Sequence, residues 1–303
     1  MKITQVKGNT YVIEANQIIP IYKTDDTHFI LLDTGLYMQR DKIEEAFTEA
    51  GLTPAGILGS HAHVDHSGNH AYFKRKYNIP ICMSLGEAGM SVNESALKLN
   101  YSQFNLEHLR KEPRFHELIF DTDVIIMPDV EEIEFCGACF KIIHVPGHTI
   151  DQIAVITPDN VMYVADACLS KTELDVIKIP YNLCVEQVVE SMEKLKEYKC
   201  DKYIFAHYDV KDEIGPVVDY YMQRIDQIID DIYSLVEGEM TEEELMKALC
   251  VKYGMLSSRP DRVPLYQRFA HSYFEYLLDL GRLEMTAHEG ISYYRKAEKK
   301  PEL

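Results

Sequence analysis

A metal-ligand motif occupies residues 61–66, where His61, His63, Asp65 and His66 lie within six consecutive positions. Imidazole and carboxylate groups are the usual ligands of zinc and of other divalent metals of intermediate softness. The motif directly follows the apolar run 56–59, so we predict that it forms a loop at the end of a buried strand. Because one loop cannot surround a metal, other parts of the chain must supply further ligands.

Three further candidate ligands, His148, Asp166 and His207, each end a predicted strand or lie in a tight loop after one. Alone, a histidine usually packs or faces solvent, and an aspartate after a strand usually forms a turn. Together with the motif, however, they make seven metal-binding groups at strand ends, where a rigid sheet presents functional side chains on loops.

Seven groups suit two metals. We assign three imidazoles to the first metal: His61, His63 and His148. We assign three groups to the second metal: Asp65, His66 and His207. The carboxylate of Asp166 has two oxygens and can bridge the metals. Two divalent cations roughly 3.5–4 Å apart lower the pKa of a water between them, so that a bridging hydroxide forms near neutral pH, and this predicts hydrolytic chemistry.

The elements that position these residues are predicted to alternate between strands and helices. Residues 1–35 are typical of consecutive strands, the last of them a buried run that ends at Asp33-Thr34-Gly35. A helix is predicted from Asp41 to Ala50, where Gly51 can take the left-handed geometry of a helix end. Further strands precede His148 and later ligands, so we predict an α/β layered fold.

Two segments depart from this alternation. Residues 91–120 are polar with helical spacing, and we interpret them as a helical insertion near the mouth of the site. Beyond residue 210 the apolar spacing becomes helical and ends in a predicted β-hairpin, which together predict a small winged-helix-like unit. We therefore divide the chain into a catalytic domain, residues 1–210, and a C-terminal domain, residues 211–303, which either walls the pocket or forms a homodimer contact.

The composition limits the class of protein. Of 303 residues, 46% are hydrophobic, which is enough for a buried core, and no apolar run reaches the roughly 20 residues of a membrane span. The net charge of −18 argues against a nucleic-acid ligand. Seven scattered cysteines and a start without an apolar signal core favour reduced thiols and a cytoplasmic location.

The ligand pattern resembles the metal motifs of the metallo-β-lactamase superfamily in order and setting, over residues 1–210, and Asp33-Thr34-Gly35 is similar to the opening motif of that family. The resemblance implies an αββα sandwich with a binuclear site at one sheet edge. It implies the seven ligands named above, and it implies that Asp65 both ligates metal and accepts the proton of the attacking water.

Three further residues are expected to lie next to the ligands without binding metal themselves. Asp33 would steady the loop or a ligand histidine. His144 is four residues before His148, but Pro146-Gly147-His148 matches the family ligand position, so His144 is given a packing or supporting role. Tyr208 follows His207 and could donate a hydrogen bond to a developing oxyanion, although a structural tyrosine is the more common case.

Three activities within this fold compete, because fold alone does not define function. The first is hydrolysis of a small ester, thioester or lactone. The second is phosphodiester or RNA cleavage, since the tail resembles the winged-helix tail of the β-lactamase-like-2 group; the acidic charge weakens it. The third is diiron redox chemistry, since residues 65–69 are similar to flavodiiron proteins; those have a carboxylate where this chain has His63, and they carry a flavodoxin domain.

The metal and the alternative to an enzyme also follow from the ligand set. Three histidines favour zinc over a diiron site, with iron or manganese as the alternatives. A metal-sensing or nucleic-acid-binding regulator with a structural site is the non-enzymatic alternative. A structural zinc needs only four closed ligands, so the complete set of seven favours an enzyme with a small-molecule substrate.

Overall fold

Two β-sheets form the centre of the fold in the computed structural model, which describes residues 1–207, 209–260 and 262–298. The first sheet has seven strands in sequence order: β1 (Ile3–Lys7), β2 (Thr10–Glu14), β3 (Ile18–Lys23), β4 (His28–Leu32), β5 (Thr53–Leu58), β6 (Ile81–Ser84) and β7 (Val124–Ile126). Strands β1 to β4 pair antiparallel, and β4 to β7 pair parallel. The parallel half therefore sends its strand ends to one edge, where the metal-ligand motif follows β5.

The second sheet contains the strands that precede the later ligands. Its members are β8 (Glu132–Phe135), β9 (Ala138–His144), β10 (Ile153–Ile156), β11 (Val161–Ala165), β12 (Lys202–Phe205) and β13 (Asp209–Lys211). Their spatial order is β13-β12-β11-β10-β9-β8, and β11 pairs parallel with β12. The parallel pair places the ends of β11 and β12, and thus Asp166 and His207, side by side.

Helices cover the outer faces of both sheets and extend the chain beyond them. In chain order they are α1 (Arg40–Glu49), α2 (His70–Tyr77), α3 (Leu85–Ser91), α4 (Glu94–Asn100), α5 (Leu106–Lys111), α6 (Pro113–His116), α7 (Lys171–Ile177), α8 (Val185–Lys196), α9 (Gly215–Leu235), α10 (Glu242–Tyr253) and α11 (Val263–Asp279). A two-stranded hairpin of β14 (Leu283–His288) and β15 (Ile291–Lys296) follows α11. Within the described residues, no helix has the length and apolarity needed to cross a membrane.

Strand β4 shows why the layers form. Its alternate side chains point to opposite faces, and both faces are buried: Phe29 and Leu31 pack with α1, while Ile30 and Leu32 pack between the sheets. The cluster between the sheets continues to Phe140 of the second sheet. The outer face of the second sheet packs on α8 and on the C-terminal helices. The predicted αββα sandwich is therefore confirmed.

The two segments that departed from the alternating pattern are helical. The insertion 91–120 contains α4, α5 and α6, which bury a small apolar cluster around Leu109 and Phe115. The C-terminal segment contains α9 to α11 and the predicted hairpin. Its side chains share one continuous apolar cluster with the second sheet, in which Tyr221 and Tyr273 are fully buried. The boundary at residue 210 and the likeness to a winged helix remain predictions.

Candidate metal centre

Loops at the ends of strands carry all seven candidate ligands. The motif 61–66 follows β5, His148 lies in the loop between β9 and β10, and Asp166 and His207 follow β11 and β12. Two of these loops need glycine: a Cβ at Gly68 would lie 2.4 Å from the carbonyl oxygen of Val64, and one at Gly147 would lie 2.4 Å from the amide nitrogen of Val188. Close backbone packing therefore holds the loops in place.

The first cluster contains His61, His63 and His148, and their ligand atoms lie within 4.8 Å of one another. Nε2 of His148 is 3.0 Å from Nδ1 of His63. Outside the cluster, Nδ1 of His148 donates a hydrogen bond to the carbonyl oxygen of Tyr181 at 3.0 Å, and Nδ1 of His61 lies 3.0 Å from the hydroxyl of Ser60. These outer partners orient the rings and direct the inner nitrogens toward one point.

Burial lowers the pKa of all three histidines in the first cluster. Neighbouring imidazoles lower the pKa of His61 and His63 further, since like charges repel. The rings are therefore neutral at physiological pH, and a neutral imidazole is the form that binds a metal.

The second cluster contains Asp65, His66, Asp166 and His207, again with ligand atoms within 4.8 Å. Oδ1 of Asp166 lies 3.2 Å from Nε2 of His66 and 3.4 Å from Nε2 of His207. Its other oxygen, Oδ2, lies 3.6 Å from Nε2 of His148 in the first cluster. One carboxylate therefore faces both clusters, with a different oxygen toward each.

Charge in the second cluster differs from that in the first. Burial opposes protonation of His66, yet Asp166 and Asp65 hold the pKa of His66 well above its usual value. Burial likewise opposes the charge on His207, but Asp166 raises the pKa of His207 to about 9. A metal entering this cluster must therefore displace two protons.

Asp33 lies behind His66, on the side away from Asp166. Its carboxylate accepts hydrogen bonds from Nδ1 of His66 at 2.8 Å, from the Ser60 amide and hydroxyl at 2.7 and 2.6 Å, and from the hydroxyl of Tyr163 at 2.7 Å. Burial opposes ionisation, but these bonds and the charge of His66 lower the pKa of Asp33. The side chain is a buried anion that orients His66.

The other histidines near the motif do not join the clusters. His144 lies at the end of β9, where its Nδ1 is 3.2 Å from Oδ1 of Asp151. His70 begins α2, and its Nδ1 contacts the hydroxyl of Thr34 at 2.8 Å; burial lowers the pKa of His70 to about 4. Tyr208, the remaining candidate, lies outside the described residues.

Two buried carboxylates near the centre were not predicted. Glu173, on α7, has Oε1 3.5 Å from Nε2 of His207, and burial raises the pKa of Glu173 to about 8 although His207 opposes this. Glu87, on α3, is only 1% exposed. No motif marks either residue, because α7 was not predicted and a single helical glutamate is normally a solvated side chain.

Glu87 ties together the loops that carry the first cluster. One carboxylate oxygen accepts a hydrogen bond from the amide of Ala62 at 2.8 Å, between His61 and His63. The other accepts bonds from the Thr149 hydroxyl at 2.6 Å and the Asp151 amide at 3.0 Å, directly after His148. Three donors from two loops therefore converge on one buried side chain.

A cavity of about 730 Å³ opens over the centre. Its floor contains the candidate ligands His63, Asp65, His148, Asp166 and His207. Much of its wall comes from three distant segments: the insertion, α7 and α11. The apolar side chains of the wall are Leu36, Val64, Val176, Ile177, Leu265 and Phe269, and its polar side chains include Gln17, Gln103, Glu173 and Arg268.

The donor set fits divalent cations. Nε2 of His61 is buried without a hydrogen-bond partner, while Nε2 of His66 and Oδ1 of Asp166 are buried 3.2 Å apart without forming a hydrogen bond. A buried polar atom without a hydrogen bond costs about 1–3 kcal/mol, so these atoms, which converge on one space, indicate a ligand that satisfies them. Imidazole nitrogen and carboxylate oxygen suit metals of the zinc type.

Comparison with known proteins assigns the family. The family model described as the metallo-β-lactamase superfamily matches residues 3–207, which contain all seven candidate ligands. The chain belongs to the metallo-β-lactamase superfamily. Members of this superfamily bind divalent metals, and both the family and the clusters support a metal-dependent hydrolase.

Solved structures of the superfamily share the fold. A metallo-β-lactamase family protein of Thermus thermophilus superimposes with a TM-score of 0.72 at 16% identity, covering 95% of this chain and 99% of the other. A β-lactamase domain protein of Burkholderia ambifaria gives 0.75 at 13% identity, covering 97% and 94%. The FEZ-1 metallo-β-lactamase of Legionella gormanii gives 0.54 at 15% identity, covering 92% and 96%. At these identities the likeness concerns the fold alone.

Proposed function

We propose that the protein is a binuclear metal-dependent hydrolase that acts on a small ester, thioester or lactone. The position of Asp166 carries this proposal, because its two oxygens face two different clusters. A carboxylate so placed is suited to bridge two metals. Zinc is the proposed metal, since imidazoles outnumber carboxylates in the donor set; iron and manganese are the alternatives.

The chain would hold the first metal with His61, His63 and His148 and the second with Asp65, His66 and His207, with Asp166 shared. When bound, two divalent cations activate a water and polarise the substrate oxygen. Asp65 would take up the proton of the activated water. The side-chain amide of Gln17 donates a hydrogen bond to Oδ2 of Asp65 at 2.8 Å and orients its carboxylate in the cavity floor.

The cavity supports a small acyl substrate. Its volume of about 730 Å³ falls in the range of small-molecule sites, and its apolar walls suit an acyl or alkyl group. Nucleic acid would need a basic surface to contact phosphates, whereas this chain has a net charge of −18. Phosphodiester cleavage and diiron redox chemistry are the alternative activities. A cytoplasmic location and a homodimer remain predictions.

Metal analysis and a substrate panel test the proposal together. We expect two tightly bound divalent metals per chain by elemental analysis. The panel contains a p-nitrophenyl ester, a thioester, a lactone, a phosphodiester and RNA at fixed metal content. A cephalosporin is added because structural neighbours are named metallo-β-lactamases. Acyl substrates should be cleaved fastest, and fewer than one metal per chain or faster turnover of RNA would contradict the proposal.

Asp166→Ala is the decisive variant, and Asp175→Ala is its control. Asp175 is an exposed carboxylate on α7 that pairs with Lys171 at 2.9 Å, away from the ligand clusters. We expect Asp166→Ala to lose metal and at least about 100-fold in kcat/KM, because outer partners of metal ligands alone are worth 10–100-fold. Asp175→Ala should behave as the wild type. Retention of both metal and activity by Asp166→Ala would refute the assignment.

A further inference from the structure

Arg268, on α11, brings a guanidinium group into the wall of the cavity. Its Cζ lies 4.6 Å from the centre of the Tyr181 ring, over which it stacks. One terminal nitrogen donates a hydrogen bond to the Tyr181 hydroxyl, and the other donates to Oε1 of Gln103 at 3.1 Å. The C-terminal segment, the loop before α8 and the insertion therefore meet at this one side chain.

The charge of Arg268 has no anionic partner among the described residues. Neither Tyr181 nor Gln103 is an anion. Among the described residues, no carboxylate comes within 4.0 Å of the Arg268 guanidinium to form an ion pair. Arg282 shows the usual arrangement: it stacks over Tyr233 at 4.5 Å and also pairs with Asp230 at 2.9 Å. Arginine has five N–H donors, so the two hydrogen bonds of Arg268 leave three for a ligand.

Tyr181 sets the position of Arg268 relative to the metal centre. The Tyr181 ring lies 5.6 Å from the ring of His63 and 5.5 Å from the ring of His148. Arg268 stacks on this same ring, so it is one aromatic ring removed from the first cluster. Phe269 packs on Tyr181 at 5.5 Å, and Leu265 adds another apolar wall on the same helix. A small molecule can therefore span from the centre along an apolar wall to the guanidinium.

We propose that Arg268 binds a carboxylate group of the substrate, so that the substrate is an acyl compound with a remote carboxylate and an apolar body between them. The inference rests on the proposed function, which places the reacting carbonyl at the clusters. The planar guanidinium can form two parallel hydrogen bonds to one carboxylate, and it holds its charge at all physiological pH values. Arg268 is thus a specificity-determining residue that acts on substrate binding.

Binding to the metal-free full-length chain tests the carboxylate site without turnover. Removal of the metals prevents them from competing with Arg268 for a carboxylate, and circular dichroism establishes that the chain is folded. Titration calorimetry compares 3-phenylpropionate with 3-phenylpropionamide, which has the same shape but no charge. We expect the wild type to bind the acid at least tenfold more tightly than the amide. Equal affinities, or a preference in Arg268→Met as large as that of the wild type, would overturn the proposal, since protonated His207 can attract the acid in both proteins.

Kinetics of the metal-loaded enzyme give the second readout. Two p-nitrophenyl esters are compared, one with a terminal carboxylate and one with the matching carboxamide. In Arg268→Met the ratio of KM for the charged ester to KM for the neutral ester should rise at least tenfold, and Arg268→Lys should restore part of it. Arg282→Met is the control, because it removes an arginine stacked on tyrosine outside the cavity. An unchanged ratio in Arg268→Met would overturn the proposal.

The two arms separate failure of this inference from failure of the proposed function. If no acyl substrate is cleaved but the acid preference depends on Arg268, the carboxylate site stands and the hydrolase assignment fails. If both esters are cleaved and the KM ratio does not depend on Arg268, the hydrolase assignment stands and the carboxylate site fails.

Discussion

Asp33 accepts a hydrogen bond from Nδ1 of His66 at 2.8 Å, and this leaves Nε2 of His66 3.2 Å from Asp166 in the second cluster. In the neutral ring that binds a metal, the bond keeps the proton on Nδ1 and leaves Nε2 facing the centre. Carboxylate partners of this kind orient metal-binding histidines and raise their basicity. Asp33 also has a left-handed backbone, with φ of 68°, which asparagine tolerates better than most other residues that carry a side chain.

Asp33→Asn should weaken binding of the second metal by about 10–100-fold, because the amide cannot accept all four hydrogen bonds that the carboxylate accepts. Backbone strain should not change, since asparagine also adopts positive φ. Competition with a graded series of chelators measures the affinity. The prediction is wrong if the second metal dissociates as in the wild type.

Glu87→Gln should destabilise the fold by about 1–3 kcal/mol, the usual cost of a buried donor left without a partner. The carboxylate accepts three donors, whereas an amide offers one acceptor oxygen and adds donors of its own. Urea unfolding measures the change. Glu107→Gln is the control, because this carboxylate is exposed and pairs with Lys111 one helical turn away. Similar effects from the two variants would show that Glu87 does not tie the loops together.

Protonated His207 stabilises the metal-free chain, and this stabilisation should be lost as pH rises from 6.5 to 9. Asp166 outweighs burial and raises the pKa of His207 to about 9, whereas an unfolded histidine has a pKa near 6.5. The stabilising proton is fully present below pH 6.5 and is lost as pH rises through 9. This loss lowers the free energy of unfolding by roughly 2–3 kcal/mol.

The comparison of a protein that keeps His207 with one that carries His207→Asn isolates this effect. Groups away from His207 titrate in both proteins and cancel in the difference, and both proteins carry Glu173→Gln, because Glu173 contacts His207 and has a pKa of about 8. Urea unfolding after chelator treatment is measured at pH 6.5, 7.5 and 8.5. The stability difference between the two proteins should shrink steadily, and a constant difference would contradict the prediction.

Gly147→Ala should lower the free energy of unfolding more than Gly137→Ala does, although both glycines have positive φ. Gly147 has φ of 123°, and a Cβ there would lie 2.4 Å from the amide nitrogen of Val188. Gly137 has φ of 81°, and its Cβ would meet nothing within 4 Å. We expect about 1–2 kcal/mol for Gly137→Ala from backbone strain alone.

For Gly147→Ala we expect more than about 3 kcal/mol, because the clash adds to the strain. Gly147→Ala should also weaken binding of the first metal, because the next residue is the candidate ligand His148. Thermal unfolding and chelator competition provide the measurements. Equal costs for the two variants would show that the backbone near Val188 yields without penalty.

The sequence by itself determined the family and the layered fold. A short motif of three histidines and an aspartate seldom serves a purpose other than metal binding. A strand that ends at such a ligand can be recognised from its local run of apolar residues. The apolar run 29–32 predicted a buried strand, and the structure buries both faces of β4. Family membership followed from the same residues and is confirmed over residues 3–207. These features are local in sequence, so the sequence carries them directly.

Only the tertiary structure decided how the parts meet. Asp166 and His207 lie side by side because β11 and β12 pair in parallel, and the loops after β5 and β9 bring the other ligands to them. Glu87, Glu173 and Arg268 lie on helices far apart in sequence, and no local pattern distinguishes them from ordinary surface charges. Their places around the centre depend on how distant helices pack against the sheets. Packing of this kind depends on the whole core, so residue types and spacing alone do not reveal it.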